Sequence, residues 1–263
     1  MTHLSMPAFA PPRDPATAAI RVGDVLSGSR KAFAAHGLAY CAIMALGYAP
    51  IALVTAGSLA DDSGDASSIP DDVDGLTILI GVAVIAVLLA CLSLAPAAIA
   101  FGVAQDVSGR GFSFNQAMRA ALRRSPAILA LTVIVVIGGM LGIILLVVPG
   151  LIFFCVYAVA VPACVVEGLG PIDSMSRSAF LTRGDRWRVF EILCLVYLGG
   201  IGLGQLVSFI ATRITNDMVG FAISLPLEIF VGAFSAVALG VLYVQLRVAR
   251  EGVDIEPIAK VFD

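Results

Sequence analysis

The fold is decided by residues 125–166, which carry no charge and read SPAILALTVIVVIGGMLGIILLVVPGLIFFCVYAVAVPACVV. An α-helix rises about 1.5 Å per residue, so a single helix of this length would measure about 63 Å, twice the roughly 30 Å hydrocarbon core of a membrane. Pro149 and Gly150 stand near the middle of the segment, and this dipeptide favours a turn. The segment therefore predicts two membrane spans joined by a tight turn.

Other uncharged stretches of the chain predict four further spans. Over the 263 residues, 59% are hydrophobic and 13% are charged, whereas about 25% of the residues of a soluble domain are charged. This composition excludes a soluble domain, a disordered chain and a nucleic-acid-binding protein. The six predicted spans are Leu38–Leu59, Leu76–Phe101, Ala127–Val148, Leu151–Val166, Trp187–Ile210 and Met218–Leu246.

Positive charge is confined to one side of these spans. Of the 16 lysine and arginine residues, Arg213 alone falls on the other side, where the loop 60–75 carries six aspartates. Cytoplasmic loops are enriched in lysine and arginine, so both termini are predicted to be cytoplasmic and the membrane to be the bacterial cytoplasmic (inner) membrane. Residues 1–19 hold four prolines and no apolar run, which predicts a flexible cytoplasmic tail rather than a signal peptide.

A short pattern precedes each pair of spans. Arg30–Phe33, Arg119–Leu122 and Arg177–Phe180 share the form Arg-x-Ala-(Phe/Leu). Either the chain contains an internal repeat, or these residue types are favoured in any cytoplasmic helix that leads into a membrane. Both alternatives predict an all-α integral membrane protein of three hairpins, each preceded by a cytoplasmic amphipathic interfacial helix. The predicted units are the tail 1–19, three helix-plus-hairpin units at 20–104, 112–166 and 171–248, and a cytoplasmic tail at 249–263.

The helix expected from Ser113 has the clearest amphipathic pattern. Ser113 and Gln116 fit a capping box, and Phe114, Met118 and Leu122 fall on one helical face. The face should lie in the membrane interface. The basic side chains that we expect at headgroup level here are Arg119, Arg123 and Arg124.

The second half of the chain resembles a known bacterial family. The resemblance is carried by Val161-Pro162, by Glu167–Ile172 and by Arg177-Ser178, with Leu181–Gly184 and Arg186–Phe190 following. These stretches are similar to the membrane domain found beside glycerophosphoryl diester phosphodiesterases and to its stand-alone six-span relatives, whose function is unassigned. In fused relatives the enzyme is a separate soluble barrel of about 250 residues. No segment of this chain could form that barrel, so the resemblance implies no phosphodiesterase activity.

Glu228 is the residue within a predicted span that most suggests function. A charged side chain at that depth costs about 3 kcal/mol on insertion scales, so it should face the bundle interior. It is either an intramembrane relay for a proton or substrate, or a hydrogen-bonded packing residue beside Pro226. The basic loop residues Arg177, Arg183, Arg186 and Arg188 are either contacts to anionic headgroups or a partner, or simply determinants of topology.

The chain offers little that could carry catalysis or hold a metal or cofactor. It has two histidines, and its five cysteines all lie in predicted spans without Cys-x-x-Cys spacing. We therefore expect no catalytic residue, metal site or cofactor. The first functional hypothesis is a non-enzymatic scaffold, assembly or membrane-organising component that binds anionic lipid headgroups, a second copy of itself or another membrane protein. The alternative is a transporter or channel subunit for a small or lipid-like solute, with Glu228 as the relay.

Overall fold

The computed structural model describes residues 20–60, 74–214 and 217–251, which form ten α-helices and one π-helical segment. The tail 1–19, residues 61–73 of the acidic loop and residues 252–263 lie outside this description. The helices are α1 (Val22–Ala60), α2 (Gly75–Val107), α3 (Phe114–Arg123), α4 (Ser125–Leu145), α5 (Val147–Tyr157), α6 (Ala160–Glu167), α7 (Pro171–Thr182), α8 (Arg186–Leu193), the π-helical segment (Cys194–Leu198), α9 (Gly199–Ile214) and α10 (Asp217–Glu251).

Six helical stretches are long and apolar enough to cross a membrane, as the sequence predicted. They are Val22–Leu59, Gly75–Val107, Ser125–Leu145, Val147–Glu167, Arg186–Ala211 and Met218–Glu251. The part of the chain described here contains no β-strand. The all-helical class is therefore confirmed, and the number of helices that are long and apolar enough to cross a membrane agrees with the six predicted spans.

The first helix is divided by a kink close to the boundary that the sequence predicted before the span Leu38–Leu59. α1 extends from Val22 to Ala60 but consists of two helices that meet at His36, whose backbone angles (φ −133°, ψ 22°) are not helical. The residues before the kink form the basic entry segment, and those after it enter the predicted span. The expected boundary is therefore a kink and not a gap.

The chain reverses at Leu146, three residues before the predicted turn. Leu146 has an extended backbone (φ −164°, ψ 132°) between α4 and α5. Pro149 lies in the first turn of α5, where its missing N–H would have had no helical acceptor. Gly150 instead allows α4 and α5 to approach each other closely. A Cβ atom added to Gly142 of α4 would lie only 2.9 Å from the Cα of Gly150. The dipeptide thus lies in the first turn of α5, at a point where α4 and α5 are in contact.

A second irregularity divides the fourth span into α5 and α6. The break falls at Ala158 and Val159, and Val159 has non-helical angles (φ −104°, ψ 15°). Pro162 explains this position, because proline has no N–H to donate to the carbonyl four residues earlier, at Ala158, and its ring crowds that carbonyl. Residues 147–167 remain one apolar stretch of 21 residues.

α10 is the central helix and packs against α1, α2 and α9. Of the 18 most apolar consecutive residues of α10, 56% are buried, compared with 11% of the corresponding residues of α2. Small residues allow these contacts: a Cβ on Gly232 would touch Met44 of α1, and one on Gly240 would touch Val103 of α2. Close packing of this kind drives association of helices in lipid, where the hydrophobic effect does not.

The residues of the three short patterns have different surroundings. Phe33 packs inside the bundle, with its ring 5.1 Å from that of Phe230 in an edge-to-face arrangement. The corresponding Leu122 and Phe180 are 54% and 53% exposed. The three copies therefore do not share one packing role.

Candidate functional site

Glu228 lies on a cavity in the membrane-spanning part of the bundle. The cavity has a volume of about 430 Å³ and is bounded by α1, α2, α10 and the fifth span. Most of its wall is apolar. Its polar lining residues are Glu228, Tyr48, Tyr197, Gln205 and Ser235.

Backbone features of the fifth span and of α10 leave room for this cavity. A Cβ placed on Gly204 would meet no atom within 4 Å, so this glycine faces open space. Tyr197 belongs to the π-helical segment Cys194–Leu198, and such segments are frequent at functional sites. Glycines 200 and 232 line the cavity as well, but each also contacts a neighbouring helix. Gly204 therefore lines the cavity without packing against a neighbouring helix.

The carboxylate of Glu228 has no cation beside it in the described part of the chain. No described side chain forms an ion pair with it or donates a hydrogen bond to it. Its side chain is half-buried, and every other polar residue on the cavity is neutral at pH 7. The hypothesis that Glu228 is a hydrogen-bonded packing residue therefore has no partner to support it among the described residues.

A second polar group lies at the C-terminal end of α10 and forms a closed ring of five side chains. We call these residues the ionic ring: Glu167, Arg177, Tyr243, Arg247 and Glu251. Arg177 Nε donates to both oxygens of Glu167, at 2.9 and 2.8 Å, and its Nη2 pairs with Glu251. Arg247 Nε donates to Glu251 at 3.0 Å. The Tyr243 hydroxyl closes the ring by donating to Glu167 at 2.7 Å and accepting from Arg247 at 3.5 Å.

The ionic ring joins the C-terminal end of α6 and the middle of α7 to the C-terminal part of α10. Its ion-pair partners expose only 15–22% of their side-chain surface. Desolvation lowers the pKa of Arg177, but the hydrogen bonds and charges of Glu167 and Glu251 outweigh it, so that the pKa is raised overall. Arg177 therefore stays charged. Two arginines face two carboxylates, and the ring is electrically neutral.

The ionic ring gives Arg177 partners within the protein that the sequence did not predict. The sequence placed this residue among the candidate headgroup or partner contacts, whereas its guanidinium is bound to two carboxylates. Arg188 is also engaged within the protein, since its Nη1 lies 3.6 Å from Asp185. Arg183 and Arg186 are exposed.

The arginines of the α3 region are all exposed, but they differ in their surroundings. Arg119 and Arg123 have no ion pair with a described residue. Arg124 lies over the turn after α6, so that a Cβ on Gly168 would be 2.7 Å from its Nη2. Gly168 has a positive φ of 68° and ends α6 in the left-handed conformation. Arg124 therefore also packs on the protein.

α3 packs on the bundle through its small residues. Ala117 and Ala121 are fully buried, and Phe114 and Leu122 are 39% and 54% exposed. The predicted capping box is wrong: helix α3 does begin after Ser113, but the Ser113 side chain makes no capping hydrogen bond. Gln116 instead accepts a 2.7 Å hydrogen bond from Gln105 of α2. Of the predicted apolar face, Phe114 and Leu122 are therefore exposed, whereas Met118 is partly buried against the core.

His36 has a contact that its position in the sequence did not reveal. Its Nε2 lies 3.4 Å from Asp106 on α2, and its ring stacks on Phe112 with centroids 5.3 Å apart. The described residues contain no group of three or more His, Cys, Asp or Glu side chains that could hold a metal ion.

Sequence reasoning missed the acidic and aromatic members of the ionic ring. Glu167 and Tyr243 are 76 residues apart, and no local pattern joins them. One signal was present: Glu167 directly ends a 42-residue uncharged segment, and an acid at the end of a span on the basic side calls for a partner.

Comparison of the chain with protein-family models, with curated proteins and with solved structures gives no match.

Proposed function

We propose that this chain is a non-enzymatic multi-pass component of a bacterial cytoplasmic membrane whose basic cytoplasmic face binds anionic lipid headgroups. In this proposal the six spans form three hairpins with both termini in the cytoplasm, and the cytoplasmic helices lie in the interface. The chain would be a stand-alone relative of the membrane domain found beside glycerophosphoryl diester phosphodiesterases. Its role would be to organise the membrane or an assembly within it.

The observation that carries this proposal is the exposed, unpaired positive charge on the cytoplasmic segments. Exposed basic residues without an ion pair to any described residue are Arg21, Arg30, Lys31, Arg110, Arg119, Arg123, Arg124, Arg183 and Arg186. Each arginine near an anionic leaflet contributes about 1 kcal/mol of attraction. No described acidic side chain forms an ion pair with these charges.

Exposed apolar side chains stand beside these arginines. Trp187 and Ile172 are 73% and 67% exposed, and Phe180 and Leu122 are more than half exposed. Aromatic and aliphatic side chains next to arginines are typical of segments that lie at the level of lipid headgroups. Apolar groups can enter the leaflet from here while the guanidinium groups contact phosphate.

The test compares two arginines of α3 with Arg213, which lies on the opposite side of the membrane in this proposal. The full chain is reconstituted in nanodiscs of phosphatidylcholine with or without phosphatidylglycerol, and its melting temperature is measured. Phosphatidylglycerol should stabilise the wild type and the control Arg213→Gln, and at least half of this effect should be lost in the double variant Arg119→Gln/Arg123→Gln. Equal stabilisation of all three proteins would refute headgroup binding at α3.

The cavity at Glu228 supports a second candidate function, transport of a small or lipid-like solute. Transport requires that the cavity opens to each side of the membrane in turn. In a variant without the five native cysteines, Ser235→Cys would be treated with an impermeant thiol reagent from either side of oriented vesicles. Labelling from both sides supports alternating access, and labelling from neither side excludes it.

A further inference from the structure

An intramembrane carboxylate with no cation beside it needs positive charge from elsewhere. Glu228 lines the cavity with four neutral polar residues, and no described lysine, arginine or histidine lies on the cavity wall. A charge held at this depth without a partner is unfavourable, and a cation inside the same cavity reduces that cost. The complement of Glu228 is therefore either a proton or a cationic ligand.

The ligands available on the cavity wall do not suit a divalent metal ion. Magnesium and calcium require about six or more oxygen ligands, and protein sites for calcium usually supply several carboxylates. Glu228 is the single acidic side chain among the described residues of this wall, and the described residues provide no cluster of three metal-binding side chains. A divalent cation would thus have one carboxylate ligand here and would depend on water for most of its coordination.

The size and chemistry of the cavity suit an organic cation. Its volume of about 430 Å³ falls in the range of about 300–1,000 Å³ that is typical of small-molecule sites. The apolar wall can hold a hydrophobic body, Glu228 can pair with the charged group, and Tyr48 and Tyr197 offer aromatic rings of the kind that bind organic ammonium groups.

We infer that the Glu228 cavity is a binding site for lipophilic organic monocations. This inference deepens the second candidate function, because it names the ligand class of the same cavity, but it requires only binding and not transport. It does not depend on headgroup binding at the cytoplasmic face.

The probe is tetraphenylphosphonium, a lipophilic cation of fixed charge, and the control ligand is tetraphenylborate, an anion of nearly the same shape. The full chain in phosphatidylcholine nanodiscs is dialysed against each labelled ion, and the uptake of empty nanodiscs is subtracted. We expect saturable binding of one phosphonium ion per chain and none of the borate. Glu228→Gln should weaken phosphonium binding at least about tenfold, and Glu228→Asp, which keeps the charge, should bind within a few-fold of wild type.

A pair of glycine variants tests whether the ligand occupies the cavity. Neither Gly204 nor Gly202 would place a Cβ within 4 Å of another group, but only Gly204 lines the cavity. Gly204→Leu should therefore abolish phosphonium binding although Glu228 is intact, and Gly202→Leu should bind as the wild type does. Wild-type melting temperatures for both variants would show that neither effect comes from misfolding.

Equal phosphonium binding by wild type and Glu228→Gln, or no saturable binding by the wild type, would overturn the inference and leave a proton as the partner of Glu228. Loss of phosphonium binding in Gly202→Leu as well as in Gly204→Leu would also overturn it. The two proposals fail separately. Phosphatidylglycerol should still stabilise Glu228→Gln, and loss of lipid stabilisation with intact phosphonium binding refutes only the headgroup proposal.

Discussion

Acidic side chains have opposite surroundings in the middle of α10 and at its C-terminal end. At the C-terminal end Glu251 lies between Arg177 and Arg247, and Tyr243 bonds to Glu167 of α6. Near the middle Glu228 faces a cavity and has no described partner. The two regions are about 22 Å apart along the helix, taking 15 residues from Glu228 to Tyr243 at about 1.5 Å each.

This difference distinguishes two kinds of charge. We call a charge structural when other side chains of the protein pair with it, as in the ionic ring, and available when no described side chain does, as at Glu228. Partly buried ions contribute to a fold when their geometry satisfies every partner, and a closed ring of five side chains meets that condition. An acid without a partner contributes nothing of this kind and is retained where a ligand or proton can reach it. We therefore expect substitutions in the ionic ring to change stability and substitutions at Glu228 to change binding.

The largest effect should come from removing the cation of the ionic ring. Arg177→Met leaves Glu167 and Glu251 close together without a shared guanidinium. We expect a loss of about 2–3 kcal/mol in the free energy of unfolding, below the roughly 3–5 kcal/mol for a fully buried pair because these side chains are partly exposed. Chemical denaturation in detergent micelles measures it.

The control for this variant is Arg119→Met, which replaces an exposed arginine without a described ion-pair partner. It should change the unfolding free energy by less than about 0.5 kcal/mol. If Arg177→Met were as stable as Arg119→Met, the ionic ring would not stabilise the helix ends. Adding Glu167→Gln to Arg177→Met should restore part of the loss, because it removes the carboxylate that is left without a cation, whereas Glu251 still pairs with Arg247.

A smaller effect is expected from the neutral member of the ionic ring. Tyr243→Phe removes the hydroxyl that donates to Glu167 and keeps the aromatic packing. A hydrogen bond to a charged group is worth about 1.5–3 kcal/mol, so the loss should be near the lower value. Tyr157→Phe is the matched control, because its hydroxyl has no hydrogen bond to a described residue. An equal change in both variants would mean that the ring is not closed through Tyr243.

The sequence predicted the spans well because their signal is local. A charge-free stretch of about 20 residues needs no knowledge of its neighbours to be identified as a span. The positions of breaks were less accurate. Pro149-Gly150 suggested the reversal, but proline is compatible with a first helical turn, and the chain in fact reverses at Leu146.

The site residues were predicted unevenly for a related reason. Glu228 was identified because an acid in an apolar segment is unusual whatever surrounds it. The role of Arg177 was missed because it depends on Glu167, ten residues away, and on Glu251 at the far end of another helix. Pairing across 74 residues leaves no pattern in a single sequence.

The smallest effect on stability should come from the acid in the cavity. Glu228→Gln removes a charge that no described group compensates, so the unfolding free energy should stay within about 0.5 kcal/mol of wild type or rise slightly. Glu167→Gln is the same substitution in the ionic ring. Its free energy of unfolding should fall by about 2 kcal/mol, because it weakens the pairing with Arg177. Both are measured by denaturation in the same micelles. A loss at Glu228 as large as that at Glu167 would show that the carboxylate is held by a structural partner. The distinction between structural and available charge on α10 would then be wrong, and the cavity would lose the feature that selects a cation.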